Sequence, residues 1–455
     1  MAGIDFDDVE RRATLPPLAW ALRLRGRTVT LEAGSGVEVA RGSCSEGAWS
    51  SDDLDLHAFA SPERRAGVNF FGSAAVRLTK SAVLCFPPTH TLDGLHLVIR
   101  HDGACVTVSN SLVWAMREAG ARGLKPNEVT ALSQAIWSST TGLLAYKRLL
   151  LVTPSASLVR ILYTPFVVDA KTGVFAEEPV PFVRDTTPFT FAGYKEALLS
   201  VLQQTLSNGT HEDRHTRYDR IYSTMSSGYD GTACAALAKE LGFTEVLSLD
   251  TGRGGADDSG RVAGTEMGLT VRLFPRPGNG LEHQNERNRD YYVDVAMLRR
   301  ATGKSYAEFI APLGCYGDLV FEPFEPVLPG SIVLTGFHAA PVWFPNCPSG
   351  PWMRRSDASG SGLNEFRLRT GFVHLPVPYI HCLRWQSIRA LSRSREMRPY
   401  HWGKPYNKPI ARRLGEEAGA SRESFGVRKK AATVMLLVGP DGYAPAFEEN
   451  AARYD

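Results

Sequence analysis

The chain lacks paired cysteines, long apolar runs and a dominant sign of charge. Its seven cysteines (Cys44, Cys85, Cys105, Cys234, Cys315, Cys347, Cys382) are scattered, with no C-x-x-C. That excludes a disulfide framework or a cysteine zinc site and points to reduced thiols in a cytoplasm, mostly as core filler. Eleven histidines include no H-E-x-x-H pair, so a histidine-based metal site is not expected. No stretch of about eighteen apolar residues occurs, so no membrane span is expected. The start, MAGIDFDDVERRA, is polar and acidic, unlike a signal peptide. Fifty-one basic and 48 acidic residues leave a net charge of +3, which demands neither nucleic acid nor membrane.

What is present is an ordinary globular composition, 43% apolar and 22% charged over 455 residues, enough for two or three domains. The most informative stretch is Arg220 to Gly242, RIYSTMSSGYDGTACAALAKELG. A short apolar lead-in (Ile221, Tyr222) meets a run of small residues, Ser223 to Gly228. Ala233, Leu237 and Leu241 then recur at helical spacing. The order strand, tight turn, helix aims backbone N–H groups and a positive helix end at one point, which suits a phosphate. Asp230 is placed to hold magnesium on that phosphate. A Walker loop is excluded, because no lysine follows the turn. Gly303-Lys304-Ser305 has Leu298 where that motif opens with glycine. A nucleophile elbow is excluded because Thr224 occupies its first glycine position. An ordinary small-residue turn is the bland alternative.

Downstream, Glu245 to Asp250 and Thr270 to Phe274 read as buried strands. A loop through Gly252–Ser259 and a helix separate them, with Asp257 and Asp258 at the helix's positive end. This alternation predicts a doubly wound parallel α/β domain. In such a sheet the Ser/Gly loop and the Ser248–Asp250 segment share the carboxyl ends of the strands, where ligands bind.

Ser226, Gly228 and Asp230 match the Ser-Gly-Gly-x-Asp-Ser loop of the asparagine-synthetase-like ATP pyrophosphatases (PP-loop proteins), while Ser227 and Gly231 replace its first glycine and closing serine. Further stretches resemble the same family. They are Ser331–Gly336, a strand ending in Thr-Gly; Gly362–Arg367, like its Gly-Leu-Glu-x-Arg segment; Lys404–Arg413, like its Lys-x-x-x-Arg helix start; and Phe425–Ala431, like its late basic motif. The resemblance spans about residues 190 to 435. It implies ATP and Mg2+ as ligands, with Ser226, Ser227, Gly228, Asp230, Gly231, Thr232, Ser248 and Asp250 around the nucleotide and Asp230 on the metal. It further implies Glu365 and Arg367 on the substrate, and Lys429, with Arg428 and Lys430, at the leaving pyrophosphate. One departure is marked: Ala340 and Pro341 stand where the family's second acidic motif carries Asp and Glu.

Residues 1 to about 185 read as strand-rich. A hairpin is expected from Leu95–Arg100 and Cys105–Val108 across an Asp-Gly turn. A helix capped by Ser or Asn should follow over Leu112–Ala119, and a strand pair within Tyr146–Ile161. This half resembles, over about residues 60 to 165, the Ntn-type glutaminase domain of asparagine synthetases. Ala2 occupies the place of its catalytic cysteine, so glutaminase chemistry is not expected. After a Pro-rich linker (residues 175–188), a helix over Phe191–Leu206 should end at Asn208-Gly209.

The expectation is therefore a β-rich Ntn-like domain (1–185) followed by a PP-loop domain (186–455). The implied activity is an AMP- and pyrophosphate-forming ligase or cyclase that adenylates a small-molecule or peptide carboxylate and forms an amide without glutamine. A nucleobase- or tRNA-modifying adenylating enzyme, and an inactive nucleotide-binding scaffold, are the alternatives. Nucleic acid and membrane partners are not expected, and a homodimer is left open.

Overall fold

The computed structural model describes residues 4–103, 105–180, 187, 189–284, 291–311, 318–346, 353–355, 357–403, 406–426, 435–438 and 440–454. Every described strand between Asp8 and Glu177 belongs to one of two sheets. The first runs in the order Asp8–Arg11, Thr28–Ala33, Trp20–Arg25, Val106–Ser109, Leu95–Arg100, Ala156–Ile161, Leu149–Val152. The second runs Phe175–Glu177, Phe166–Asp169, Ala82–Phe86, Phe70–Arg77, Ser43–Trp49, Glu38–Ala40. Pairing is antiparallel except between Asp8–Arg11 and Thr28–Ala33. Strand alternation assigns the faces. Trp20, Leu22 and Leu24 point into a core shared with Cys44, Ala75, Val83 and Cys85 of the other sheet. Ala21 and Arg23 face the opposite way, where Arg23 lies 5.1 Å over the Trp114 ring. Helices Leu112–Glu118 and Pro126–Trp137 cover that outer face, burying Val113, Leu132 and Ile136 against Val98 and Leu158.

The hairpin forms with Leu97 opposite Val108, and Ser111 caps the following helix by accepting from the Trp114 N–H at 3.0 Å. The strand pair Leu149–Val152 and Ala156–Ile161 turns at the expected Thr153-Pro154-Ser155. The helix after the linker departs from expectation, running Phe191–Thr210 straight through Asn208 and Gly209. Tertiary contact explains it. The Asn208 amide oxygen accepts from the Trp49 N–H and from Arg214, and its nitrogen donates to the Ser51 carbonyl, tying the helix to the end of a sheet strand. A Cβ on Gly209 would lie 2.8 Å from Ile332 Cδ1, so the glycine is there for close approach and not to stop the helix.

The second half carries a five-stranded parallel sheet in the order Thr270–Phe274, Glu245–Leu249, Arg220–Thr224, Ser331–Thr335, Val373–Pro376. Helices Phe191–Thr210, Tyr229–Glu240 and Pro409–Glu417 bury one face through Leu198, Ala233, Leu237, Ile410 and Leu414. The other face packs Tyr222, Leu247 and Val333 on Phe309, Phe321 and Phe324. The protein is thus mixed α/β, with strands on either side of residue 185 going to different sheets. The chain then crosses back: Tyr454, after helix Pro440–Ala451, accepts from Arg117 through its carbonyl at 2.8 Å.

Between the halves lies a buried polar seam. Arg367, 2% exposed, donates to both Glu46 oxygens at 2.6 and 3.1 Å, and its Nε lies 3.2 Å from Asp93. Glu365 accepts from the Ser111 hydroxyl, the Val113 N–H and the Tyr454 hydroxyl. Removing one partner of such a seam strands a charge away from water. Arg367→Met should therefore destabilise the fold by about 3–5 kcal/mol, read as a lower urea midpoint with an unchanged slope.

Candidate functional site

Arg220–Thr224 is the first strand of the parallel sheet, and its neighbours are the second strand on one side and the fourth on the other. The strand order reverses there, and in open α/β sheets ligands bind outside the carboxyl ends of the strands at such a point. The turn Met225–Gly228 leaves this strand at its carboxyl end, and helix Tyr229–Glu240 follows with no side chain capping it. The first-turn N–H groups of Tyr229, Asp230 and Gly231 have no carbonyl within the helix to bond. The turn itself is held from below. The Ser227 N–H donates to the Asp258 carbonyl at 3.0 Å, and the Ser227 hydroxyl to the Asp258 carboxylate at 2.5 Å. The Gly228 N–H donates to the Ser226 hydroxyl oxygen at 3.1 Å.

The fourth strand ends beside this helix. A Cβ on Gly336 would lie 2.6 Å from the Asp230 carbonyl carbon and Cβ, so only glycine lets the two backbones meet. A Cβ on Gly231 would lie 3.1 Å from Met225 Cα and the Ser226 nitrogen, which leaves little room for the serine of the resembling loop.

Pro409–Glu417, packed against this helix, supplies the charge. Lys408, the residue before it and 5% exposed, places Nζ 2.6 Å from each carboxylate oxygen of Asp230. Such an ionised, two-oxygen contact is among the stronger hydrogen-bonded pairs. Four residues on, the fully buried Arg412 donates to the Tyr229 hydroxyl at 2.6 Å and lies 4.6 Å from the Trp402 ring centroid. The Tyr406 hydroxyl stands over Gly228, and its ring centroid is 4.8 Å from that of Tyr229. Burial, and then the neighbouring Asp230 charge, push the Tyr406 hydroxyl well above its usual range, so it remains a proton donor.

The structure thus brings Ser226, Ser227, Gly228, Asp230 and Gly231 together. Thr232 closes the first helical turn by donating to the Gly228 carbonyl at 2.9 Å. Ser248 is buried and donates to the Ser259 carbonyl at 2.6 Å. Asp250, exposed, accepts from the Arg276 N–H at 3.0 Å. Glu365 and Arg367 do not join the cluster, since both are committed to the seam between the halves. Arg428, Lys429 and Lys430 lie outside the described residues. Lys408 and Tyr406 are residues that sequence reasoning did not select, while Asp258, expected at the positive end of the next helix, is bonded to the Ser227 hydroxyl instead. The one available signal was the basic stretch Lys404–Arg413, which holds two lysines; the fold turns Lys408 to Asp230, and Lys404 lies outside the described residues.

A divalent cation does not fit the acidic groups as they stand. Both Asp230 oxygens are taken by Lys408, and one Asp258 oxygen by Ser227. Ala340 and Pro341 lie within the short helix Ala339–Trp343. Among the described residues no three His, Cys, Asp or Glu side chains gather as metal ligands. Among the same residues, no helix is long and apolar enough to cross a membrane. A scan of the chain against models of known protein families found no match, and a search of curated proteins found none.

Two predictions follow from this packing. Gly336→Ala forces the Asp230 backbone to move and should cost about 1–3 kcal/mol in urea denaturation. The second concerns buried histidines. His374, the second residue of the fifth strand and 2.7 Å from the Thr335 hydroxyl, is held down to about 3 by burial, then by the Arg367 and His338 charges. His96 is likewise held to about 3 by burial and Arg160. The unfolded chain takes up these protons near 6.5 while the folded chain does not. Their contribution is complete above that pH and declines as pH falls toward 3, by about 1.4 kcal/mol per pH unit for each. Denaturation midpoints measured across this window should fall less steeply for His374→Gln.

Proposed function

We propose that the chain is an ATP-dependent, AMP- and pyrophosphate-forming ligase of the asparagine-synthetase-like kind, activating a carboxylate for amide formation without glutamine. The observation that carries this reading is the Ser226–Gly231 turn at the reversal point of the parallel sheet, with open first-turn N–H groups and a buried lysine beside them. An anionic ligand of several oxygens matches that donor set. The β-rich first half is in keeping with an Ntn-related domain.

The reaction follows from those residues. The N–H groups of Tyr229, Asp230 and Gly231 and the Ser226 hydroxyl hold phosphate oxygens. Lys408 supplies positive charge beside them. A substrate carboxylate oxygen attacks the α-phosphorus, the bond from that phosphorus to the bridging oxygen breaks, and pyrophosphate leaves. An amine then attacks the acyl carbon, AMP departs, and the amine proton is released to solvent. Fixed donors aimed at developing charge are the main source of rate in such transfers. Arg428, Lys429 and Lys430 are assigned to the leaving group on their sequence pattern alone.

One observation favours a second reading, a nucleotide-binding scaffold without turnover. The carboxylate expected to carry metal is already neutralised by Lys408, and the second acidic motif is replaced by Ala340 and Pro341. Radiolabelled ATP offered with a panel of carboxylates and amines separates the two. AMP and pyrophosphate should form, and Ser226→Ala should slow their release by about 10²–10³-fold. ADP as product overturns the ligase; ATP bound with no product, and lost in the same variant, establishes the scaffold.

A further inference from the structure

We infer that Lys408 takes the place of a divalent cation at Asp230, so that nucleotide binding by this site does not depend on magnesium. The inference rests on the nucleotide reading above and concerns how that site balances charge.

Three features of the site lead to it. Lys408 Nζ is equidistant, at 2.6 Å, from both Asp230 oxygens, the position that a cation shared by a bidentate carboxylate would take. The lysine is not a mobile surface group that drifted in. It is 5% exposed and fixed by its neighbours: Pro409 starts the following helix at once, the Arg412 N–H bonds back to the Lys408 carbonyl at 2.9 Å, and the Tyr406 ring lies 5.7 Å from Nζ. The other carboxylates near the turn that could draw a metal are engaged. Asp258 serves the Ser227 hydroxyl, Asp257 accepts from the Ser259 N–H and hydroxyl, and Asp250 accepts from the Arg276 N–H.

An ammonium differs from a hydrated divalent ion in what it can do. It carries one charge, offers three donors, and needs no ordered water shell. Two of its donors face Asp230, and the third remains for a phosphate oxygen at the helix end. The pair is thus a fixed positive and negative charge side by side, with the positive member the one able to meet an anion. A metal ion at Asp230 would first have to displace Lys408 and leave a buried ammonium without its partner, which is costly.

Calorimetric titration of the full chain with ATP, in EDTA and in excess magnesium, tests this directly. The two dissociation constants should agree within about threefold, a difference below 1 kcal/mol. Binding that weakens more than about tenfold in EDTA overturns the inference and leaves the nucleotide reading standing. Failure to bind in either medium overturns both. Manganese alone, followed by its electron paramagnetic resonance signal, gives an answer independent of nucleotide. The native protein should take up no ion at this position, Lys408→Met should gain one, and Lys408→Met with Asp230→Asn should lose it again. Uptake of manganese by the native protein that Asp230→Asn abolishes also overturns the inference.

Discussion

The two halves of this molecule are registered on each other by the burial of Arg367 against Glu46 and Asp93. The arginine and the glutamate are 2% and 1% exposed, so neither can recover hydration. Burial raises the Asp93 carboxyl to about 6 even though Arg367 opposes it. Charges in such a place are tolerated only when geometry satisfies them, and that requirement is directional. Helix Asn364–Thr370 can therefore sit on the first-half sheets in one way, with Asn364 donating to the Asn110 carbonyl and Glu365 meeting Ser111. The fifth strand follows this helix after a glycine turn, so the seam also sets one edge of the parallel sheet.

From that sheet the candidate site follows by short steps. The first and fourth strands are neighbours, and Gly336 allows the loop after one to touch the helix after the other. The helix starting at Pro409 then brings Lys408 over the turn. The site is assembled from four segments far apart in sequence, and its donors point inward because the turn below them is bound to Asp258. At the helix end the Asp230 carboxylate already has Lys408 as its counter-charge, and the Asp258 carboxylate is bonded to the Ser227 hydroxyl.

Much of this architecture was legible. The hairpin, the capped helix after Ser111 and the βαβ alternation from Arg220 to Phe274 are local patterns, fixed by side-chain periodicity and turn residues. The Ser226 turn was legible for the same reason. Asn208-Gly209 was not, because the residues that commonly end a helix also serve as a tether and a close-approach point, and only the neighbours Trp49 and Ile332 distinguish these uses. Glu365 and Arg367 show the same limit. A carboxylate and a guanidinium two positions apart on a helix fit a substrate site or a structural seam equally well by residue type.

The sequence by itself determined the local elements and the turn that presents helix-end donors, because periodicity and small-residue punctuation act over a few residues. Only the tertiary structure decided which charges meet. Lys408 is 178 residues from Asp230, and Arg367 is 321 from Glu46. Whether a charged side chain serves a ligand or another side chain depends on which opposite charge the fold brings within about 3 Å of it, and on how much water is excluded there.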